Sequence, residues 1–600
     1  MNYKSCIAAL FALFMLGVVT SCEDMFNIES NRVVLNHEIN TTSDSVYSTL
    51  GVLQCMRKVA DRYVILGEVR GDMAQIDDEA AKTSLRNLAN FNFSDSDQPN
   101  EYLNVRDYYT IINNCNYALA KMDTMLTLSG QRVMVDEYAA LQGIRAWTYL
   151  QLAINYGEVF YYTDPVVSEQ DTVSIVGAGK KDIRFIAEDL AGKLIPCLDY
   201  ELPVFASTTG SYPILRLVLA ELYLWSGDYA NAKKYYEEYF LKNKKATLTM
   251  SDADGSVMQS GFVDLGGMFT SWNGEDLKDG ASSNNQKYTV GGAVKYSDAG
   301  DENLSHIPME TSSDKGLVSE VSRLFTTAQL RPSAYWKTLS GKQAIFHVES
   351  DDKGNKTGIK TSVKIGDMRK YEYLSTSFVQ SETEVGEMEA IDLYSKHVNN
   401  KIVTQRRSIA CLRWAEAMNA LAKEQFVVGA DSATNAEARQ NAVNAFYLLK
   451  DAFKVFFPEG SKVWTDFERF HDQLQTKYVG IHARGTGDVY YDTLHYVLTP
   501  NAIISRLGLT DSIVTFNDTI QYIDELIIDE LALESTLEGN RFGDLVRFAK
   551  RREAWGDSEY RHFLAGRVAN RGGEETEIEV RDSLYNKLNN SEEYWYLPFK

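Results

Sequence analysis

The stretch "ILRLVLAELYLWSGDYANAKKYYEEYF", residues 214–240, decides the fold. Leu215, Val218, Leu219, Leu222 and Trp225 recur at spacings of three and four, which places them on one stripe of an α-helix. Gly227 ends that helix, because glycine takes the left-handed conformation at a helix C-terminus without a Cβ clash. Asp228 suits the start of the next helix, where a short carboxylate can accept from free backbone N–H groups. There Ala232 leaves room for a close helix crossing and Tyr236 fills the following layer. The unit reads as a helix–turn–helix of tetratricopeptide type. One such unit cannot bury its own apolar face, so others must stack on it.

Degenerate copies of the pattern are present. Residues 107–125 and 137–162 form a pair, 183–198 precede the quoted unit, 408–425 and 438–457 form a later pair, and 522–552 supply a long helix and its turn. The fold class expected is mostly α, with about four tetratricopeptide-like helix pairs in a right-handed scaffold. That scaffold would cover residues 40–248 and 385–552 of one domain spanning 22–600, with a loop-rich insertion over 249–384. From Met250 to Gly316 the insertion is rich in Gly, Ser, Asp and Asn without a helical period, and irregular segments that long are usually functional or disordered. It carries Phe262, Phe269, Trp272, Tyr288 and Tyr296, too many large rings for a solvated linker. Further on, "KQAIFHVES" and "GIKTSVKIG" flank a Gly-containing turn at 351–357, the pattern of a small β-hairpin. Paired helices support; the irregular middle is what they present.

At the N-terminus, Lys4 precedes an apolar run, Ile7–Val19, that is shorter than the ~20 residues a membrane-spanning helix needs. This is the layout of a secretory signal peptide over 1–21. Val19, Thr20 and Ser21 before Cys22 resemble a bacterial lipobox, which implies lipidation of the Cys22 thiol and cleavage before it. Acidic Glu23 and Asp24 follow, similar to a surface-export signal of some Gram-negative lipoproteins. Stable attachment requires more than one lipid chain, each buried methylene contributing ~0.8 kcal/mol.

With 44% hydrophobic and 12% aromatic residues over 600 positions, the chain has the material for a large core. A formal net charge of −22 disfavours nucleic acid and anionic membrane surfaces as partners. Cys55, Cys115, Cys197 and Cys411 are far apart without C-x-x-C pairing and read as small buried hydrophobes, not a disulfide framework.

No catalytic centre emerges. There is no Gly-x-Ser-x-Gly elbow and no His-Glu-x-x-His, and "RGTGD" at 484–488 lacks the Lys-Ser/Thr of a phosphate loop. His347, His397 and His495 have no metal-ligand spacing, and no metal or cofactor is expected. Glycoside hydrolysis needs two carboxylates ~5–10 Å apart, and 83 acidic residues always supply a pair, so their presence decides nothing.

The chain resembles the SusD/RagB family of surface glycan-binding lipoproteins. Tyr109, Ile112 and Asn116 match its Tyr-x-x-Ile-x-x-x-Asn helix. Arg145, Ala146, Tyr156, Gly157 and Glu158 match its Arg-Ala-aromatic helix and Tyr-Gly-acid exit. The tetratricopeptide turn at 214–240 comes third. Arg413, Ala415, Glu416 and Asn419 are similar to its Arg-x-Ala-Glu helix, and Glu538, Gly539, Arg541, Asp544, Leu545 and Arg547 to its Glu-Gly-x-Arg-x-x-Asp-Leu-x-Arg signature. Glu530-Leu531 and Leu537-Glu538-Gly539 depart from the family's Glu-Arg and Phe-Glu-Gly. The last signature reads as structural: Glu538 with Arg541, and Asp544 with Arg547, can pair three apart on a helix, contributing ~0.2–0.5 kcal/mol each if exposed.

The resemblance implies a protein of the cell outer membrane, lipid-anchored and surface-exposed, that holds an oligosaccharide or polysaccharide over a SusC-like TonB-dependent transporter without cleaving it. A pyranose presents an apolar face for aromatic rings and a rim of hydroxyls for polar partners. The expected ligand-binding residues are therefore Trp272, Tyr288, Tyr296 and Trp336 as stacking rings, Asn273 and Arg331 as hydroxyl partners, and Asp72 from another loop. Two other readings stand beside this one: a surface scaffold binding a peptide or protein in a helical groove, and, more distantly, a glycosidase.

Overall fold

The computed structural model describes residues 42–77, 80–93, 100–203, 210–242, 303–342, 401–450 and 496–599, with shorter stretches between them. In chain order the principal helices are α1 (Thr42–Val69), α2 (Arg106–Lys121), α3 (Val135–Tyr156), α4 (Ile183–Leu194), α5 (Leu215–Ser226) and α6 (Tyr229–Lys242). They continue as α7 (Arg407–Gln425), α8 (Ala436–Lys450), α9 (Phe516–Glu534), α10 (Arg541–Ala554), α11 (Tyr560–Ala569) and α12 (Ile578–Asn590).

The quoted stretch is α5 and α6. Gly227 ends α5 at φ 85°, and Asp228 accepts from the Asn231 backbone N–H at 3.1 Å to open α6. Leu215, Val218, Leu219, Leu222, Ala232 and Tyr236 are all buried, while Trp225 is only half-buried at the rim. The expected pairs α2–α3, α5–α6 and α7–α8 pack as such, and α4 bridges α3 to α5 while α6 leans on α7. A single buried apolar cluster joins these helices, so each pair covers the face its neighbour leaves open.

The sequence reading stopped its helices at 552, and the structure extends them. Residues 522–552 are two helices, α9 and α10, separated by Ser535–Asn540, and α11 and α12 follow. Trp595, beyond α12, is fully buried and donates its indole N–H to the Leu588 carbonyl at 2.9 Å, while Leu597 N–H donates to the Asn155 carbonyl at 2.8 Å. The C-terminal segment is thereby pinned to the end of α3.

Between α6 and α7 the described residues form antiparallel two-stranded ribbons. The expected hairpin is present as Ala344–Ser350 against Lys356–Ile365, with Phe346 opposite Thr361. Others follow from residues whose pairing was not foreseen: Ala246–Ser251 with Val257–Phe262, and Leu374–Gln380 with Met388–Tyr394. Two ribbons are non-local. Ala74–Ile76 pairs with Leu330–Pro332, and Asn303–Pro308 with Lys401–Arg406. They stitch the middle of the chain into the helical body: Ile307, Leu330, Trp336 and Ile402 all belong to the common core.

Cys115, Cys197 and Cys411 are buried free thiols and Cys55 is half-buried, in keeping with the reading of small hydrophobes. Among the described residues no helix is long and apolar enough to cross a membrane.

Candidate functional site

Many of the residues singled out in the sequence motifs meet in the interior. Arg145 donates to the Asn116 side chain at 2.8 Å, and Asn116 in turn donates to the Tyr162 and Asp164 carbonyls at 3.3 and 3.2 Å. Tyr109 stacks on Tyr162 with centroids 6.0 Å apart and donates to the Phe160 carbonyl at 3.0 Å. These contacts fix how the chain leaves α3 after Gly157. Deeper in, Arg547 grips Glu416 through two bonds of 2.8 and 2.7 Å and reaches Asp544 at 2.8 Å. Arg551 also donates to Glu416, and to Asp524 at 2.6 Å; Arg413 pairs with Glu221 and donates to Asn540 at 2.8 Å. Glu538 accepts from Arg406 at 2.5 Å.

This corrects the expected pairing in the last signature. Arg541 binds Asp72, not Glu538, and Glu538, Arg541, Asp544 and Arg547 are all at least 95% buried. The i,i+3 pair Asp544–Arg547 does form. Such groups are held by the loss of ~3–5 kcal/mol that removing either buried partner entails, an order above an exposed pair. Burial alone would raise the Glu416 carboxyl, but Arg547 and Arg551 outweigh it and hold it down at about 2.

Three of the expected ligand residues stand in the described part, and two are corrected. Asp72 is 0% exposed, with its carboxylate spent on Arg541 at 2.5 and 2.8 Å. Trp336 is 1% exposed. Its indole N–H donates to the Thr536 hydroxyl at 3.1 Å, so no ring face is open to a sugar. A local signal for this exists: Ser333 caps the short helix Ala334–Gly341 by accepting from the Trp336 N–H at 3.0 Å, and Trp336, Leu339 and Ser340 form its inward face. Arg331 is half-buried, paired with Asp77 and set opposite Gln75 in the ribbon. Trp272, Asn273, Tyr288, Tyr296 and Cys22 lie outside the described residues.

What sequence reasoning missed is a cleft of about 1220 Å³ at the open end of the α5–α6 turn. Its walls come from Leu224–Gly227, the entry to α4 at Asp182–Arg184, the end of α10, and the C-terminal segment Glu592–Phe599. Eight aromatic rings line it, including Trp225, Tyr594 and Tyr596. The Arg547 guanidinium lies 5.2 Å over one face of Trp225. Lys550 donates to Glu553 at 2.5 Å and to Glu592 at 2.9 Å. Burial alone would lower the Lys550 ammonium; those two carboxylates hold it above its usual range. No motif points to this cleft, because its walls are more than 350 residues apart in sequence from Trp225 to Tyr594.

No protein-family model matches the chain, and no curated protein does. Solved structures do. A SusD superfamily protein from Bacteroides thetaiotaomicron superimposes with a TM-score of 0.50 at 14% identity, covering 84% of this chain and 89% of that one. A second from the same organism gives 0.46 at 14% identity over 88% and 94%, and a SusD-like carbohydrate binding protein from Bacteroides vulgatus gives 0.47 at 14% over 85% and 83%. The first of these likenesses shows that the two chains share a fold.

Proposed function

We propose that this chain, which has the SusD-superfamily fold, is a glycan-binding lipoprotein of the outer cell surface. In this reading it captures an oligosaccharide or polysaccharide and passes it to a SusC-like TonB-dependent transporter, without catalysis. One observation carries it. Most of the residues by which the sequence resembles the family, among them Asn116, Arg145, Glu416 and Arg547, are buried joints of a structure that shares its fold with a SusD superfamily protein.

Binding without cleavage follows from the same reading: a rigid helical body positions rings and hydroxyl partners, and affinity comes from stacking and hydrogen bonds to a partly desolvated sugar. The anchor is assigned to Cys22, which leaves the acidic chain on an aqueous surface.

Two experiments test this. Labelled palmitate fed to expressing cells should enter the wild type and not Cys22→Ala. Full-length protein should be retarded in gels containing a polysaccharide without releasing reducing ends. Release of reducing ends would instead support a glycosidase, and protection of the protein from protease on intact cells would contradict surface display.

A further inference from the structure

We infer that the cleft between the α5–α6 turn and the C-terminal segment is itself a binding site, and that its ligand is a neutral oligosaccharide of several rings. The inference rests on the glycan-binding reading and adds to it a place and a ligand class. The loop rings expected from the sequence are not needed for it.

Size comes first. At about 1220 Å³ the cleft exceeds the ~300–1,000 Å³ typical of small-molecule pockets, so it suits a chain of rings, not a single sugar. Its surface is the second point. Tyr594 is 39% exposed and Trp225 half-buried, leaving ring area at the cleft. One face of Trp225 is covered by the Arg547 guanidinium, 5.2 Å from the ring centroid, which helps hold the indole in place. An apolar sugar face placed on such a ring needs no rearrangement of the site.

Third is the charge on Arg547. Arg547 is 4% exposed and lines the cleft, and its guanidinium already has its charge matched by Glu416 and Asp544. An anionic ligand in the cleft therefore finds no free counter-charge on this residue.

The rest of the lining agrees. Six basic and five acidic side chains border the cleft, and Lys550 is spent on Glu553 and Glu592. An acidic polymer would meet little uncompensated positive charge here, in a chain whose formal net charge is −22.

The test uses full-length protein in detergent and measures binding to galactomannan, arabinoxylan and mixed-linkage glucan as neutral probes, with polygalacturonate and chondroitin sulfate as acidic ones. Wild type should bind at least one neutral probe. Tyr594→Ala should weaken that binding about three- to tenfold, and Tyr594→Phe should retain it, since the ring and not the hydroxyl is engaged. Tyr594 is exposed, so its variants should melt like wild type; Trp225→Ala, checked by circular dichroism, is a second variant on the platform. If wild type binds and both alanine variants bind equally well, the cleft is not the site while the glycan reading stands. If binding is confined to the acidic probes, the ligand class is wrong. If wild type binds none of the five, the glycan reading fails, and this inference with it.

Discussion

Gly67 of α1 and Gly539 of the turn before α10 touch backbone to backbone: a Cβ added to Gly67 would stand 1.9 Å from the Gly539 carbonyl oxygen. Gly539 sits at φ 83°, and its N–H donates to the Glu68 carboxylate at 2.8 Å. This contact locks the first long helix to the turn before α10 and sets up the Asp72–Arg541 pair, Asp72 lying four residues beyond Glu68.

Gly67→Ala is expected to cost at least ~3 kcal/mol, because the atom it would meet is backbone that cannot swing aside. Gly51→Ala, on the same helix with nothing within 4 Å of the added carbon, should instead gain up to ~1 kcal/mol. Urea unfolding of the two variants reads the difference directly; equal midpoints would show that α1 does not press on the turn.

Asp72→Leu and Arg541→Met should each lose ~3–5 kcal/mol, since each leaves a buried partner without its counter-charge. The double variant Asp72→Leu/Arg541→Met should recover part of the loss, giving a coupling energy of ~1–3 kcal/mol in a double-mutant cycle. Additive losses would mean the pair is not coupled.

Glu416 should impose a pH signature. Its carboxyl is held at about 2 by Arg547 and Arg551 against an ordinary value of 4.5, so its ion pairs stabilise the protein fully above pH 4.5 and less as pH falls toward 2. The stability gap between wild type and Glu416→Gln should be constant from pH 7 to 5 and shrink from 4.5 downward. A gap that does not change with pH would remove the assignment.

His306 should act with the opposite chemistry and the same sign. Burial, with Lys401 nearby, lowers it from 6.5 to about 4, so between those pH values the unfolded chain takes up a proton that the folded chain refuses. Stability should therefore decline as pH drops from 6.5 to 4, and His306→Gln should flatten that slope.

Trp336→Ala should lower stability by ~3–5 kcal/mol as a core truncation, and Trp336→Phe by ~1 kcal/mol for the lost hydrogen bond to Thr536. Polysaccharide affinity of the folded Trp336→Phe protein should match wild type. A selective loss of binding would return this ring to the ligand site.

Local rules were enough for the helical framework. The three- and four-residue spacing of Leu215, Val218, Leu219 and Leu222, with Gly227 and Asp228 between two such stripes, states a helix, a stop and a restart, because each of those effects acts within a turn or two of the chain. The hairpin around 351–357 was legible for the same reason. Burial of charged residues was not. Nothing local distinguishes Asp72 in "VRGDMAQ" from a surface acid; its partner Arg541 lies 469 positions away, and only the approach of α1 to α10 desolvates both. Trp336 failed likewise, an aromatic in a polar stretch being equally suited to a loop platform and to a core, and its partner Thr536 lies 200 positions away. The cleft is the extreme case: Trp225 and Tyr594 each look ordinary in their own helix or turn, and a cavity exists only where the C-terminal segment is pinned across the end of α3. Sequence determined the elements and their stacking order; tertiary structure decided which charges are buried, which rings are spent on packing and which still face open space, because those outcomes depend on distances between parts of the chain that no local pattern encodes.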